Sequence, residues 1–298
     1  MLWIVLSLLS AFFYSVRYII IKKHLAGANT FVTTFATRFF GAVFLAPFIF
    51  FTPLKGVNNP LFWKIIFITS LLTGIATVMQ FHSIKNYEIS ACIPFMAFIP
   101  LFMVICVYLI FGEIPNRYAL LGVIALCAGA YLINFQKGVK FYEPFFKIFK
   151  NRGSLYFFLA SMILGLTTTL DRLAIDNAGS GGLCYSIFWN IVSSLLFSVI
   201  FLNREKYQYY KKQLADNLKA YSLQGFFAIL SFVSQMLAVE YAKNVAANVI
   251  YVKALNMIQM LIGVLIGIYI FNESNGIQRI IGAAFMFAGA LTIVFFFK

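Results

Sequence analysis

Charge is scarce in this chain. Only 11% of its 298 residues are Asp, Glu, Lys or Arg, and nine acidic residues stand against 23 basic ones. Soluble domains carry about 25% charged residues, so too little polar surface is present to cover a water-soluble body of this length. Histidine is nearly absent. His24 and His82 sit near the ends of apolar runs, and two such residues make no metal site. The four cysteines (Cys92, Cys106, Cys127 and Cys184) all lie inside apolar runs, which reads as small buried apolar residues rather than disulfides or zinc ligands. A Gly-rich loop ending in Lys-Ser/Thr is missing, which argues against direct drive by ATP. Period-2 alternation is missing too, against an outer-membrane barrel.

What is present is apolar. Hydrophobic residues make up 62% of the chain. A bilayer core needs about 20 apolar residues per spanning helix, so ten spans use about 200 residues and leave roughly eleven per connection. Ten runs can be drawn: 2–21, 31–51, 62–81, 89–111, 118–135, 154–170, 183–202, 218–239, 245–271 and 277–297. The first lacks the basic start of a signal peptide and is too long for one, so it reads as the first membrane helix. The expected fold is all-α: a polytopic membrane protein of ten transmembrane helices. The net charge of +14 is scattered among apolar runs with no basic domain, so nucleic acid is not an expected partner. The expected partners are the lipid bilayer and a small-molecule solute.

The second half repeats the first. A shift of 160 residues places Phe111, Glu113, Gly122, Ala128, Gly129, Ala130 and Ile133 on identical residues, seven of the 23 positions from 111 to 133. A shift of about 155 places Gln80 on Gln235. The expected organisation is a first five-helix repeat (1–135), a basic linker (136–153) and a second five-helix repeat (154–298). Five is odd, so the halves must be inverted in the membrane. Inverted repeats are a common transporter architecture, with the binding site near the midplane between them.

Several of these features resemble a known family. Five plus five spans, Glu113 and Glu273 closing the fourth and ninth, a Gly-rich following helix, Lys22 ending the first span and Arg38 opening the second are similar to the EamA-type branch of the drug/metabolite transporter superfamily. The resemblance covers essentially the whole chain and implies a ten-helix metabolite transporter in a bacterial-type inner (plasma) membrane. In one departure, Met260 stands opposite Pro100, so a proline kink is not shared between the halves. Sorting the basic residues by connection puts 14 on the side of the odd connections and six on the other. Positive-inside reasoning then places both termini outside, whereas the resemblance implies both inside.

Polar groups in hydrocarbon are costly and should face protein or a water-filled cavity. By helical period, Ser7, Ser10, Tyr14 and Arg17 share one face. So do Thr69, Thr73, Thr77 and Gln80, and likewise Gln224, Ser231 and Gln235. Asn248, Lys253, Asn256, Gln259 and Gly263 fit one arc; Tyr185, Trp189 and Val192 align, with Asn190 on a neighbouring face. Ser7, Ser10, Thr69 and Thr73 read as helix-packing residues bonded to their own carbonyls, and Gly122, Gly129, Gly282 and Gly289 as points of close helix approach. Tyr251 adds an aromatic ring to the ninth span. The expected substrate-binding set is Tyr14, Arg17, Arg38, Thr77, Gln80, Tyr185, Trp189, Gln235, Asn248, Tyr251, Lys253 and Asn256. No catalytic residue, metal ligand or cofactor is expected.

Of the nine carboxylates only Glu240 and Asp171 lie near the ends of cavity helices, and none falls near a span centre. That composition disfavours cationic solutes and a proton relay. Lysine and arginine would neutralise a carboxylate or phosphate, amides would sort hydrogen-bond patterns, and rings would stack on a planar body. The expected function is secondary transport of a small polar metabolite with an anionic or zwitterionic group (amino acid, nucleotide-related or organic phosphate) by alternating access. A lipid or lipid-linked sugar flippase of similar architecture is the alternative. A membrane-embedded enzyme would need an acid, base or metal cluster, and Asp171 and Asp176 would be its residues. Glu113 and Glu273 read as helix-ending turn formers or as gating contacts.

Overall fold

The computed structural model describes residues 1–25, 27–54, 56–86, 93–133, 152–262 and 277–296. These residues form α1 (Leu2–His24), α2 (Thr30–Leu45, continued by a 3-10 turn over Ala46–Phe50), α3 (Pro60–Asn86), α4 (Ile99–Phe111, after a 3-10 turn over Ile93–Phe98) and α5 (Arg117–Ile133). The second half gives α6 (Arg152–Ala178), α7 (Gly182–Ser198, then a 3-10 turn over Val199–Leu202), α8 (Arg204–Asp216), α9 (Leu218–Tyr241), α10 (Asn248–Asn256) and α11 (Ile277–Phe296). No strand occurs among the described residues. Six helical stretches are long and apolar enough to cross a membrane, and four shorter apolar ones accompany them. Glu273, Gly263, Cys92 and the linker up to residue 151 lie outside the described residues.

Two boundaries differ from the sequence reading. The connection 203–217 is the helix α8, started by the Asn203 side chain accepting from the Lys206 N–H at 3.3 Å. Its polar, basic composition hid it from a hydropathy criterion. The run 154–170 continues as helix to Ala178, eight residues further, through Asp171, Arg172 and Asp176. Hydropathy falls there, but these charges find partners inside the protein.

Outward faces are apolar. Leu2, Val5, Leu9 and Phe12 on α1, Phe67, Leu71 and Ile75 on α3, and Phe285, Leu291 and Phe295 on α11 are exposed. Such contiguous apolar exposure suits lipid as the solvent.

Helix pairing follows the repeat. The largest contacts are α5 with α11, α1 with α9 and α3 with α6. The last two are exchanged when the halves are exchanged. Ser15 on α1 donates to the Gln259 carbonyl at 3.2 Å, while Gly165 on α6 abuts the Ile99 carbonyl. Ser15 and Gly165 therefore occupy matching places, as do residues 259 and 99, whose separation is the 160-residue shift. Cross-contacts fix direction: Ser10 meets Ser231 while Arg17 meets Gln224, so α1 and α9 are antiparallel. Following such pairs through α2, α7 and α3 leaves α1 and α6 opposed, as inversion requires.

The glycines act as read. A Cβ on Gly122 would sit 2.8 Å from the Gly289 carbonyl oxygen, and one on Gly129 would sit 2.5 Å from that of Gly282. α5 and α11 meet backbone to backbone, which only small residues permit.

Candidate functional site

One continuous polar set crosses the interior from α1 to α10. Arg17 lies beside the Tyr14 ring, its guanidinium carbon 5.4 Å from the centroid, and its Nε donates to Gln224 Oε1 at 3.4 Å. Gln224 in turn donates through Nε2 to Thr37 Oγ1 at 2.7 Å. At the next residue, Arg38 stacks over Trp189 at 4.4 Å from the ring centroid, a favourable cation–π placement. Arg17 and Arg38 are close enough to repel. Behind Trp189 lies Phe232, stacked at 4.7 Å.

From Trp189 a hydrogen-bonded chain leads to a carboxylate. Trp189 Nε1 donates to Thr69 Oγ1 at 3.1 Å, Thr69 Oγ1 lies 3.1 Å from the Tyr185 hydroxyl, and that hydroxyl donates to Asp171 Oδ1 at 2.5 Å. Asp171 is 7% exposed. Lys253 on α10 and Arg38 on α2 both interact electrostatically with it. Five helices (α2, α3, α6, α7 and α10) therefore converge on one carboxylate and two cations.

Of the expected binding residues, Tyr14, Arg17, Arg38, Tyr185, Trp189 and Lys253 are brought together here. Gln235 and Asn256 form a separate pair, Asn256 Nδ2 donating to Gln235 Oε1 at 2.9 Å. Gln80 is half-buried, and its Nε2 has no partner. The other three are occupied elsewhere. Thr77 donates to the Thr73 carbonyl of its own helix. Asn248 donates to Val239 O at 3.1 Å. Tyr251 accepts from the Asn116 backbone N–H at 2.9 Å, at the turn between α4 and α5.

Two residues were misread from sequence. Asp171 was placed near a helix end, yet it stands within the packed interior as a buried counter-charge. Thr69 was read as a packing hydroxyl, yet it joins Trp189 to Tyr185. The signal for Asp171 was available: Asp171, Arg172 and Asp176 follow an apolar run without a break of helical pattern.

Two further carboxylates cap helices. Glu240 accepts from the Gly182 N–H at 2.7 Å, at the start of α7. Glu113 accepts from the Ala247 N–H at 2.6 Å, just before α10, where Ala247 has a left-handed backbone (φ 56°) and no cap of its own. Negative charge is favoured at both places by the helix dipole. Glu113 also accepts from Arg172 Nη1 and Nη2 at 2.6 and 2.8 Å, and Arg172 Nε donates to Asp176 at 3.0 Å. These Arg172 hydrogen bonds hold the Glu113 carboxyl below the usual carboxylate range against the opposing effect of burial, with help from Ala247 N–H and the Arg172 charge. The clasp ties the α4–α5 turn of the first half to α6 and the α9–α10 turn of the second.

Comparison with known proteins bears on this architecture. No curated protein sequence matches the chain. A crystal structure superposes with a TM-score of 0.74 over 98% of this chain and 96% of its own, at 13% identity, which establishes a shared fold. The model of the EamA-like transporter family matches residues 1–135 and again 151–295. The double match falls on the two halves whose helices exchange contacts in the fold, and the chain belongs to the EamA-like transporter family.

Proposed function

We propose that this membrane protein is a secondary transporter that moves a small polar metabolite with an anionic or zwitterionic group by alternating access. The observation that carries the reading is the charge balance of the interior. Arg38 and Lys253 face one carboxylate there, Asp171, with Arg17 close to Arg38, and the buried Arg38 Nε has no hydrogen-bond partner among the described residues. An unpaired buried donor on a cation costs several kcal/mol unless something accepts from it. A solute carboxylate or phosphate supplies both the charge and the acceptor. The Tyr14 ring, beside the Arg17 guanidinium, offers a stacking surface for a planar body. Rocking of the two halves about this site moves the solute. The membrane is a bacterial-type inner membrane.

The test is uptake by proteoliposomes from a pool of amino acids, nucleotides and sugar phosphates, with trapped solutes read by mass spectrometry. Anionic or zwitterionic solutes should accumulate with wild type and drop at least tenfold with Arg38→Met. Equal accumulation in both would remove Arg38 from the site. Passage of labelled lipid with no solute trapped would overturn solute transport.

A further inference from the structure

The chain ending at Asp171 can be satisfied in two ways. With Asp171 ionised, the Tyr185 hydroxyl donates to it, and Trp189 N–H donates to Thr69. With Asp171 protonated, its own O–H donates to the Tyr185 oxygen and the Tyr185 hydroxyl donates to Thr69 Oγ1. The Thr69 proton then turns to the Ile66 carbonyl, 3.4 Å away. Trp189 keeps its bond in both arrangements. No buried donor or acceptor in this chain is orphaned by the change, so the usual obstacle to protonating a buried network is absent.

The surroundings make the proton count depend on the solute. Groups facing Asp171 are Lys253 from α10, Arg38 from α2, Tyr185 from α7 and Thr69 from α3. Its neighbour Arg172 is engaged by Glu113 and Asp176, Glu240 on α9 is engaged by Gly182, and α4 brings no charged side chain. The cations whose charge favours ionised Asp171 are thus the same two that a solute anion would use. If the anion takes them, two negative charges share one site, and the carboxylate that can accept a proton does so.

We infer that Asp171 is a proton-binding site in competition with the solute's anionic group for Lys253 and Arg38, so that one proton is taken up as the anion binds. The step is a simple protonation: the Asp171 carboxylate plus one proton from water gives the carboxylic acid, and the reverse occurs when the anion leaves. By reciprocity, proton binding tightens anion binding by the same factor. The inference rests on the transport reading above.

Trp189 is the reporter. With Trp3 and Trp63 replaced by Phe, its fluorescence is titrated in detergent from pH 5 to 9. A single one-proton transition is expected, absent in Asp171→Asn. In Lys253→Met the midpoint should rise by about one pH unit or more, because a positive neighbour that favoured the ionised form is gone. A flat wild-type curve, a transition that survives in Asp171→Asn, or a midpoint unmoved in Lys253→Met would overturn the site. If Asp171→Asn does not fold, infrared spectra of the wild type decide: a carboxylic C=O band must disappear over the same transition. Solute uptake without any titration would refute the proton site alone. Titration without uptake of any solute would refute the transport reading, and the coupling with it.

Discussion

Replacing Glu113 by Gln tests the clasp that joins the two halves. Arg172 is 4% exposed and Glu113 27%. In wild type, Glu113 Oε2 accepts from Arg172 Nη1 and from the Ala247 N–H, and Oε1 accepts from Arg172 Nη2. A glutamine has one acceptor oxygen. Placed toward Arg172 Nη1 and Ala247, it turns its NH2 on Arg172 Nη2, donor against donor. One charge-assisted hydrogen bond is lost, worth about 1.5–3 kcal/mol, and a buried guanidinium loses an ionic partner, which costs up to about 3–5 kcal/mol. Partial exposure of Glu113 and the remaining bond to Asp176 reduce the total, so about 2–3 kcal/mol is expected. At about 2–4 °C per kcal/mol, the thermal midpoint should fall by roughly 5–10 °C. The assay is a fluorescence melt in detergent at one fixed scan rate, since the unfolding of such proteins is commonly irreversible. Asp176→Asn keeps one carbonyl oxygen to accept from Arg172 Nε and removes only the charge, so it should cost less. A Glu113→Gln midpoint equal to wild type, or a larger loss from Asp176→Asn, would refute the account.

The same residue predicts a pH dependence. Its carboxyl is depressed in the folded state, so its contribution is present above about pH 4.3, the unfolded value, and is lost as pH falls through the lower folded value. The gap between wild type and Glu113→Gln should therefore narrow as the pH is lowered below about 4. Gly129→Val should abolish a monodisperse peak in size-exclusion chromatography. Its Cβ would meet the Gly282 carbonyl at 2.5 Å and the Met286 amide nitrogen at 2.6 Å, and backbone atoms cannot give way, so the cost exceeds the usual overpacking range of about 1–3 kcal/mol. Tyr251→Phe takes an acceptor from the Asn116 N–H. It should lower the melting midpoint by several degrees and leave solute uptake intact, because Tyr251 serves a turn rather than the central set.

Much of the architecture is local information. A span needs a stretch of apolar residues of bilayer length, and α1, α2, α3, α7 and α9 announce themselves by composition alone. The Gly122/Gly289 and Gly129/Gly282 contacts were legible for a similar reason: small residues at a repeat of seven mark one face, and the matching pair recurs 160 residues later. Arg38 and Lys253 could be singled out because a charge in an apolar run is expensive wherever it points.

Tertiary packing decided the rest. Asp171 reads from sequence as the end of a span, since hydropathy counts its charge as a cost and cannot see Tyr185, Lys253 and Arg38 arriving from three other helices. Tyr251 and Asn248 carry the right chemistry on a plausible helical face, but a face gives a direction without its neighbour, and the neighbours proved to be the turn at Asn116 and the Val239 carbonyl of α9. The helix over residues 204–216 carries no apolar stripe long enough to register. The sequence alone thus determined that the chain is a series of apolar helices, and that its halves are related, because both depend on residues near one another or on a fixed offset. Which charges meet was settled only by folding, because Asp171 stands 133 residues from Arg38 and 82 from Lys253 and meets them only through the packing of five helices.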